Sequence, residues 1–161
     1  MVELKEITWE NLWEIINLKP AESQTDHLPS NAIFMAMAYV NLKFQYPDAC
    51  YAIYHGEIAV GFTKIVFVEK KEKQYNLPED TYLIDALMID EKYQGNGYGT
   101  SALEQILSFI RSKPWGDSNN VRASCYDKNT VTAKLLEKAG FTRTNELDRG
   151  VAGLRVYTKK I

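Results

Sequence analysis

The sequence predicts an α/β domain organised around one strand–turn–helix unit. Three observations predict it. Leu83 to Ile89 is an apolar run broken only by Asp85, which suits a strand buried on both faces. Gln94-Gly95-Asn96-Gly97-Tyr98-Gly99 follows, and its glycines tolerate positive φ and let another group approach bare backbone. Leu103, Ile106, Leu107 and Ile110 then recur at the spacing of one helix face. A glycine-rich turn opening a helix points free N–H groups and a positive dipole end forward, where a phosphate or pyrophosphate fits.

The other elements follow in chain order. Val2 to Ile7 alternates apolar and charged residues, a half-buried strand. Thr8 is placed to cap a helix carrying Leu12, Trp13 and Ile16 on one face, ending before Pro20. Pro20 to Pro29 reads as a polar loop. Ser30 or Asn31 caps a second helix, with Ile33, Met37, Val40 and Phe44 at helical spacing and Pro47 as its stop. Cys50–Tyr54 and Ile58–Val68 flank His55-Gly56-Glu57 as a hairpin, with Gly61 at a bulge and His55 as exposed turn chemistry. Glu69 to Asp80 is a charged loop. Beyond the central helix, Lys113 to Asp117 is a turn and Val121–Tyr126 a strand. Asn129 opens a helix through Ala139, with Val131, Leu135 and Ala139 on one face and Gly140 as its stop. Phe141–Glu146 and Leu154–Thr158 read as closing strands, joined through Asp148-Arg149-Gly150.

Composition narrows the class. A chain of 161 residues is expected to form one domain, 1–161, with a proper core. A net charge of −2 leaves no basic footprint for nucleic acid. Cys50 and Cys125 supply neither a disulfide framework nor paired-cysteine zinc spacing, so a reducing cytoplasm and no metal are expected. The N-terminus has no signal-peptide pattern, and no apolar run reaches the roughly 18 residues of a membrane span.

Three kinds of glycine turn compete for Gln94–Gly99. A Walker loop needs a lysine after its last glycine, and Gly99-Thr100 lacks it. A dinucleotide turn fits Gly97 to Ala102 as G-x-G-x-x-A, but it should follow its strand directly, and Asp90 to Gln94 intervene. The third fits throughout: Gln94-x-x-Gly97-x-Gly99 matches the Q/R-x-x-G-x-G/A signature of the GNAT superfamily of N-acetyltransferases. Asn129 with Ala139-Gly140-Phe141 stands as in that family's N-x-x-A-x-x-x-Y-x-K-x-G-F block. The chain resembles this family over most of its length. The bland alternative, a turn that merely lets a helix pack on a sheet, leaves the second motif unexplained. The resemblance implies a mixed sheet of six or seven strands with helices on both faces, splayed between the fourth and fifth strands.

The resemblance also implies a chemistry, in which acetyl-CoA gives its acetyl group directly to a primary amine without an acyl-enzyme. Main chain at Leu87, Met88 and Ile89 would pair with the pantetheine arm, and an N–H near Ile89 would polarise the thioester carbonyl. Gln94 opens the loop whose N–H groups at Gly95, Asn96, Gly97, Tyr98, Gly99 and Thr100 would hold the pyrophosphate. Asn129 would bond the pantetheine region, or serve as a helix cap. Glu22, Gln24, Asp26 and His27, between the first two helices, become candidate substrate contacts; each alone also reads as solvated loop. Asp85 lies where several relatives of this kind carry Glu or Asp. Two roles fit it: relaying the proton of the amine or anchoring it, or a structural bond to backbone or to a lysine, since a buried carboxylate without partners is costly.

One position departs from the family. The tyrosine that usually protonates the leaving thiolate falls at Leu136. Tyr126, Cys125, Tyr98 or Tyr157 could serve instead, with Tyr126 carried as the candidate; or the thiolate leaves unaided, a thiol pKa of about 8.5 making it a tolerable leaving group. A third option is a non-catalytic CoA-binding sensor. Gln24, Val60-Gly61-Phe62, the Tyr-Gln-Gly-x-Gly turn and Glu146-Leu147-Asp148 are similar to bacterial spermine/spermidine acetyltransferases. Acidic Glu22, Asp26 and Asp85 suit a polyamine, and also an aminoglycoside or a peptide N-terminus. The resemblance allows a homodimer.

Overall fold

Seven strands form one mixed sheet in the order β1-β2-β3-β4-β5-β7-β6 in the computed structural model, which describes residues 1–25, 28–72 and 75–161. They are β1 (Glu3–Glu6), β2 (Asp48–His55), β3 (Ile58–Val68), β4 (Thr81–Ile89), β5 (Asn120–Tyr126), β6 (Thr142–Leu147) and β7 (Leu154–Lys160). The described helices are α1 (Leu12–Asn17), α2 (Glu22–Thr25), α3 (Asn31–Lys43), α4 (Tyr98–Arg111) and α5 (Thr130–Lys138). Every strand pair is antiparallel except β4 with β5. A parallel pair needs a crossover between its strands, and α4 supplies it. Asp26 and His27 lie outside the described residues.

Helices cover both faces of the sheet. On one face, α4 brings Leu103, Ile106, Leu107 and Ile110 onto Ile65, Tyr82, Ile84, Val121 and Ala123, with Leu136 of α5, Phe141 and Tyr157 beside them. Each such aliphatic side chain contributes about 1.5–3 kcal/mol when fully buried. On the other face, Ile15 of α1 and Phe34 of α3 cover Ala52, Tyr54, Phe62, Ala86 and Met88.

The strands and α4 match the sequence reading closely; the small helices do not. On α1, Ile15 is the buried residue and Trp13 is exposed; the N-cap is Asn11, and Thr8 instead donates its N–H to the Asn11 carbonyl Oδ1 at 2.8 Å. On α3, the inward residues are Asn31, Phe34 and Ala38, whereas Ile33, Val40 and Phe44 face outwards. The segment is apolar nearly all round, so periodicity could not choose a face. Tertiary contacts chose it: Asn31 Nδ2 donates to Ile15 O at 2.8 Å, and the Phe34 ring stacks on Phe62 at 6.1 Å. On α5, Leu135 and Ala139 of the expected face pack against the α4 cluster beside the buried Leu136, whereas Val131 is exposed. The segment read as loop between Pro20 and Pro29 contains α2, and Leu77 within the Glu69–Asp80 stretch is buried against Val66 and Val68.

Two bulges shape the central hairpin. Across β2 and β3, Ile53 pairs Gly61 while Tyr54 pairs Ala59, leaving Val60 as the extra residue. A Cβ at Gly61 would sit 2.3 Å from Met88 O, so the backbones touch there and only glycine fits. Across β3 and β4, Lys64 pairs Ala86 while Ile65 pairs Ile84, leaving Asp85 as the extra residue. Packing shows the same break: Tyr82 and Ile84 face α4, whereas Ala86 and Met88 face α1 and α3. A strand alternates strictly, so one extra residue between Ile84 and Ala86 is what swaps the faces.

Candidate functional site

The bulge at Asp85 is where the sheet splits. β4 and β5 pair at Tyr82–Val121, Leu83–Arg122 and Ile84–Ala123, and no further. β5 continues against β7 as far as Tyr126–Leu154, and β4 against β3 as far as Ile89–Gly61. The stretches Asp85–Ile89 and Ser124–Tyr126 therefore diverge and line a gap. A bulge bends its strand and increases local twist, which is the physical cause of the split.

Backbone polarity follows from the same pairing. Met88 O lies on the β3 side, against Gly61, and Asp90 N–H donates to Val60 O at 2.9 Å. Alternation then turns the N–H and C=O groups of Leu87 and Ile89 into the gap. Thr63 Oγ1 donates to Ala86 O at 2.7 Å, tying β3 to β4 beside the bulge.

Beyond Ile89 the chain makes a short 3₁₀ turn, Glu91–Tyr93, whose cap Asp90 accepts from Lys92 N–H. Asp90 Oδ2 also accepts from Lys19 N–H at 2.9 Å, and Lys19 O accepts from Glu91 N–H at 2.9 Å. The end of β4 is thus stitched to the segment following α1. Gln94 Nε2 donates to Ile89 O and to Gln24 Oε1, both at 2.9 Å. The signature glutamine therefore ties the glycine loop to the strand end and to α2, and it engages the side chain of Gln24. Gly95 and Gly97 have φ of +81° and +77°, with open space where a side chain would stand. Gly97 is the N-cap of α4, so the free N–H groups of the first turn, Tyr98 to Thr100, point outward beside it. Gly99 has ordinary helical φ, and a Cβ there would make only ordinary contacts, 3.6 Å from Leu135 and 3.8 Å from Ile89, so its lack of a side chain is not forced by packing. The Tyr98 ring turns the other way and lies 4.9 Å from that of His55.

On the far wall, Asn129 caps α5 by accepting from Thr132 N–H at 3.1 Å. Asp127 beside it is gripped by Arg155 and Arg143, which hold its carboxyl down to about 2. Tyr126 ends β5, with parity opposite to buried Ala123 and Cys125, and so lies on the α3 side of the sheet. Leu136 is 3% exposed, packed in the α4 cluster. Glu22 is exposed on α2.

Asp85 also faces the α3 side, and the lysine alternative for it is realised. Lys64 Nζ lies 2.7 Å from Asp85 Oδ2 and 2.9 Å from Asp48 Oδ2. Asn41 of α3 donates to Asp48 Oδ2 at 2.6 Å. Burial pushes Asp48 up from the usual carboxylate range, against the pull of Lys64. Burial works to lower the Lys64 pKa, but Asp85 and Asp48 outweigh it and the ammonium is stabilised. Burial, with Asp48 nearby, pushes the Cys50 thiol up to about 12, so it is inert as a nucleophile or acid. Arg149, in the β6–β7 turn with φ +49°, reaches to 3.8 Å from Asp85 Oδ1. Removing one member of the buried Lys64–Asp48 pair is expected to cost about 3–5 kcal/mol.

Sequence reasoning missed Asp48, Lys64 and Arg149. The signal for Lys64 was present: it is the one charge in the run from Ala59 to Val68, all of it buried, and Asp85 is its counterpart in the next strand. A cleft of ≈ 330 Å³ at the other, paired end of β4 and β5, lined by Thr81, Asn120, Arg122 and Lys159 among others, holds none of the candidate site residues. Among the described residues no cluster of His, Cys, Asp and Glu could hold a metal ion, and no helix is long and apolar enough to cross a membrane.

A split between parallel strands, with a glycine cradle at one strand's end, fits an extended ligand bearing a pyrophosphate. A profile of the acetyltransferase (GNAT) family matches residues 9–141. The chain belongs to the GNAT family of acetyltransferases. It is an acyl-CoA-dependent N-acetyltransferase with acetyl-CoA as co-substrate. It is 25% identical over 161 residues, 99% of each chain, to a spermine/spermidine N(1)-acetyltransferase of Bacillus subtilis (strain 168). Among solved structures it is similar to a PaiA N-acetyltransferase from Thermoplasma acidophilum in complex with coenzyme A, with TM-score 0.69, 12% identity, and coverage of 100% and 99% of the two chains. It is also similar to RimL, a ribosomal L7/L12 α-N-protein acetyltransferase in complex with coenzyme A, with TM-score 0.71, 16% identity, and coverage of 99% and 94%. These likenesses bear out the mixed, splayed sheet that the two sequence motifs implied.

Proposed function

We propose that this acetyltransferase acts on a primary amine of a small cationic molecule, a polyamine, and that Asp85 anchors and deprotonates it. The observation that carries this reading is the bulge, which delivers a 14% exposed carboxylate to the α3 side of the split, opposite the side covered by α4. An alkyl ammonium has a pKa of about 10 and no lone pair while protonated. A carboxylate at the mouth attracts it and accepts its proton, directly or through one water. The polyamine relative, alike along its full length, supports the acceptor class.

The remaining roles follow from backbone and position. Acetyl-CoA supplies an acetyl group activated as a thioester. N–H groups of Leu87 and Ile89 turned into the gap suit the pantetheine amides and the carbonyl oxygen, where charge develops during transfer. The loop from Gly95 to Thr100 suits the pyrophosphate. Met88 contributes by packing, its polar groups being turned to β3. Asn129 orients the turn at the far wall. Leu136 offers no proton, so Tyr126 is assigned to the leaving thiolate. Glu22 and Gln24 form the outer acceptor wall, with Gln24 acting through Gln94; Asp26, a substrate contact expected from the sequence, lies outside the described residues. Residues 1–161 act here as one catalytic domain in a reducing cytoplasm, on a small molecule and without nucleic acid or membrane; sedimentation would test the homodimer. The test of function is free-thiol release from acetyl-CoA with polyamines, aminoglycosides, amino acids and short peptides. Turnover confined to polyamines supports the reading. Turnover confined to peptide N-termini replaces it with the RimL type of acceptor, and silence with CoA still bound makes the chain a sensor.

A further inference from the structure

Asp48, Lys64 and Asp85 form a line of charges running from the interior of the β2–β3–β4 hairpins to the mouth of the split. Their side chains are 0%, 1% and 14% exposed. The line is not neutral: it holds two carboxylates and one ammonium. Asp48 Oδ1 is buried with no hydrogen-bond partner among the described residues. Well-packed apolar residues in place of buried ion pairs are often neutral or stabilising, so folding stability is weak grounds for keeping these charges. Geometry suggests what does. Lys64 takes Oδ2 of Asp85, and Asp85 Oδ1 is left on the side from which Arg149 approaches. The surplus negative charge is therefore expressed at the most exposed carboxylate, with one oxygen held from behind and the other aimed outward.

We propose that Lys64 is the positioning residue of the acceptor site: it holds the Asp85 carboxylate by Oδ2 and aims its Oδ1 at the incoming amine, while Asp48 anchors the ammonium from behind. This rests on the reading that Asp85 receives the acceptor. The groups facing Asp85 are Lys64 on β3, Asp48 and Cys50 on β2, Tyr75 in the β3–β4 connection, and Arg149 with Asp148 behind it. Of these, Lys64 makes the shortest contact, and it is the cation whose loss leaves two carboxylates facing each other; like charges in a shared site push one of them to take up a proton.

Lys64→Met alone would expose that repulsion to the fold, so the test compares Asp48→Asn with Asp48→Asn/Lys64→Met, which removes one charge of each sign. Carbon-13 NMR follows the titration midpoint of the Asp85 carboxyl, and kcat/KM for spermidine is measured against pH. In the double variant the midpoint and the acidic limb of the profile rise together by about one pH unit or more, which is about a tenfold loss below the limb. Spermidine KM rises and coenzyme A affinity stays level. An Asp85 midpoint equal in the two variants overturns the inference, whatever the activity does. A midpoint that moves without the kinetic limb leaves Lys64 in its role and overturns instead the assignment of Asp85 to the acceptor.

Discussion

The two sides of the split are built from different material. The side assigned to acetyl-CoA is backbone: N–H groups of Leu87 and Ile89, two left-handed glycines and a helix start, with side chains turned away, as Tyr98 turns to His55. The side assigned to the amine is side chain: Asp85 held by Lys64, Lys64 by Asp48, Asp48 by Asn41. A backbone site recognises what every family member shares, because its donors do not depend on side-chain identity. A side-chain site is free to vary with the acceptor. The bulge at Asp85 serves both, opening the gap and turning the carboxylate to the α3 side.

That contrast breaks most sharply at Asp85. Asp85→Asn is expected to slow acetyl transfer by about 10²–10⁴ at neutral pH, the usual worth of a positioned acid–base group. Thiol release with saturating spermidine measures it, and a loss below tenfold would remove the carboxylate from the mechanism. Gly97→Val strikes the backbone side. Holding a β-branched residue at φ +77° costs roughly 1–2 kcal/mol, and its side chain crowds the cradle. Calorimetry should show coenzyme A binding weaker by more than about tenfold; normal affinity would misplace the pyrophosphate.

Smaller effects sharpen the comparison. Gly61→Ala forces Cβ against Met88 O, and overpacking of this kind costs about 1–3 kcal/mol. Thermal unfolding should drop accordingly, by about 2–4 °C per kcal/mol for a chain of this size. Unchanged stability would mean that β3 and β4 are not locked there. Arg149→Ala removes a largely exposed cation 3.8 Å from Asp85 Oδ1. Exposed pairs are worth about 0–1 kcal/mol, so spermidine KM should fall by no more than about fivefold. A rise in KM would make Arg149 part of the acceptor site rather than a competitor for Asp85.

The same contrast explains what the sequence disclosed. Strand β4, the glycine turn and α4 were legible because each is set by local pattern: an apolar run, residues permitting positive φ, and a regular helical face. The bulge expected at Gly61 falls one residue earlier, at Val60, and Gly61 itself is required by its close approach to Met88 O. The inward faces of α1 and α3 were not, because their identity depends on partners distant in sequence, such as Phe62 for Phe34 and Ile15 for Asn31. The roles of Asp48, Lys64 and Arg149 were hidden likewise, since the register that brings three chain segments together is a property of the folded sheet. Asp85 lay between these cases. Its oddity in an apolar strand was visible, but its partner and its aim were not.

The central claim is that acetyl-CoA and the amine are held by separable sides of one split. Calorimetric titration of coenzyme A, and then of spermidine into the coenzyme A complex, with the wild-type protein and with Asp85→Asn, tests it most directly. Coenzyme A affinity should stay within about twofold while spermidine binding weakens by at least about tenfold, a loss of about 1.4 kcal/mol. Equal weakening of both ligands, or of neither, would contradict it.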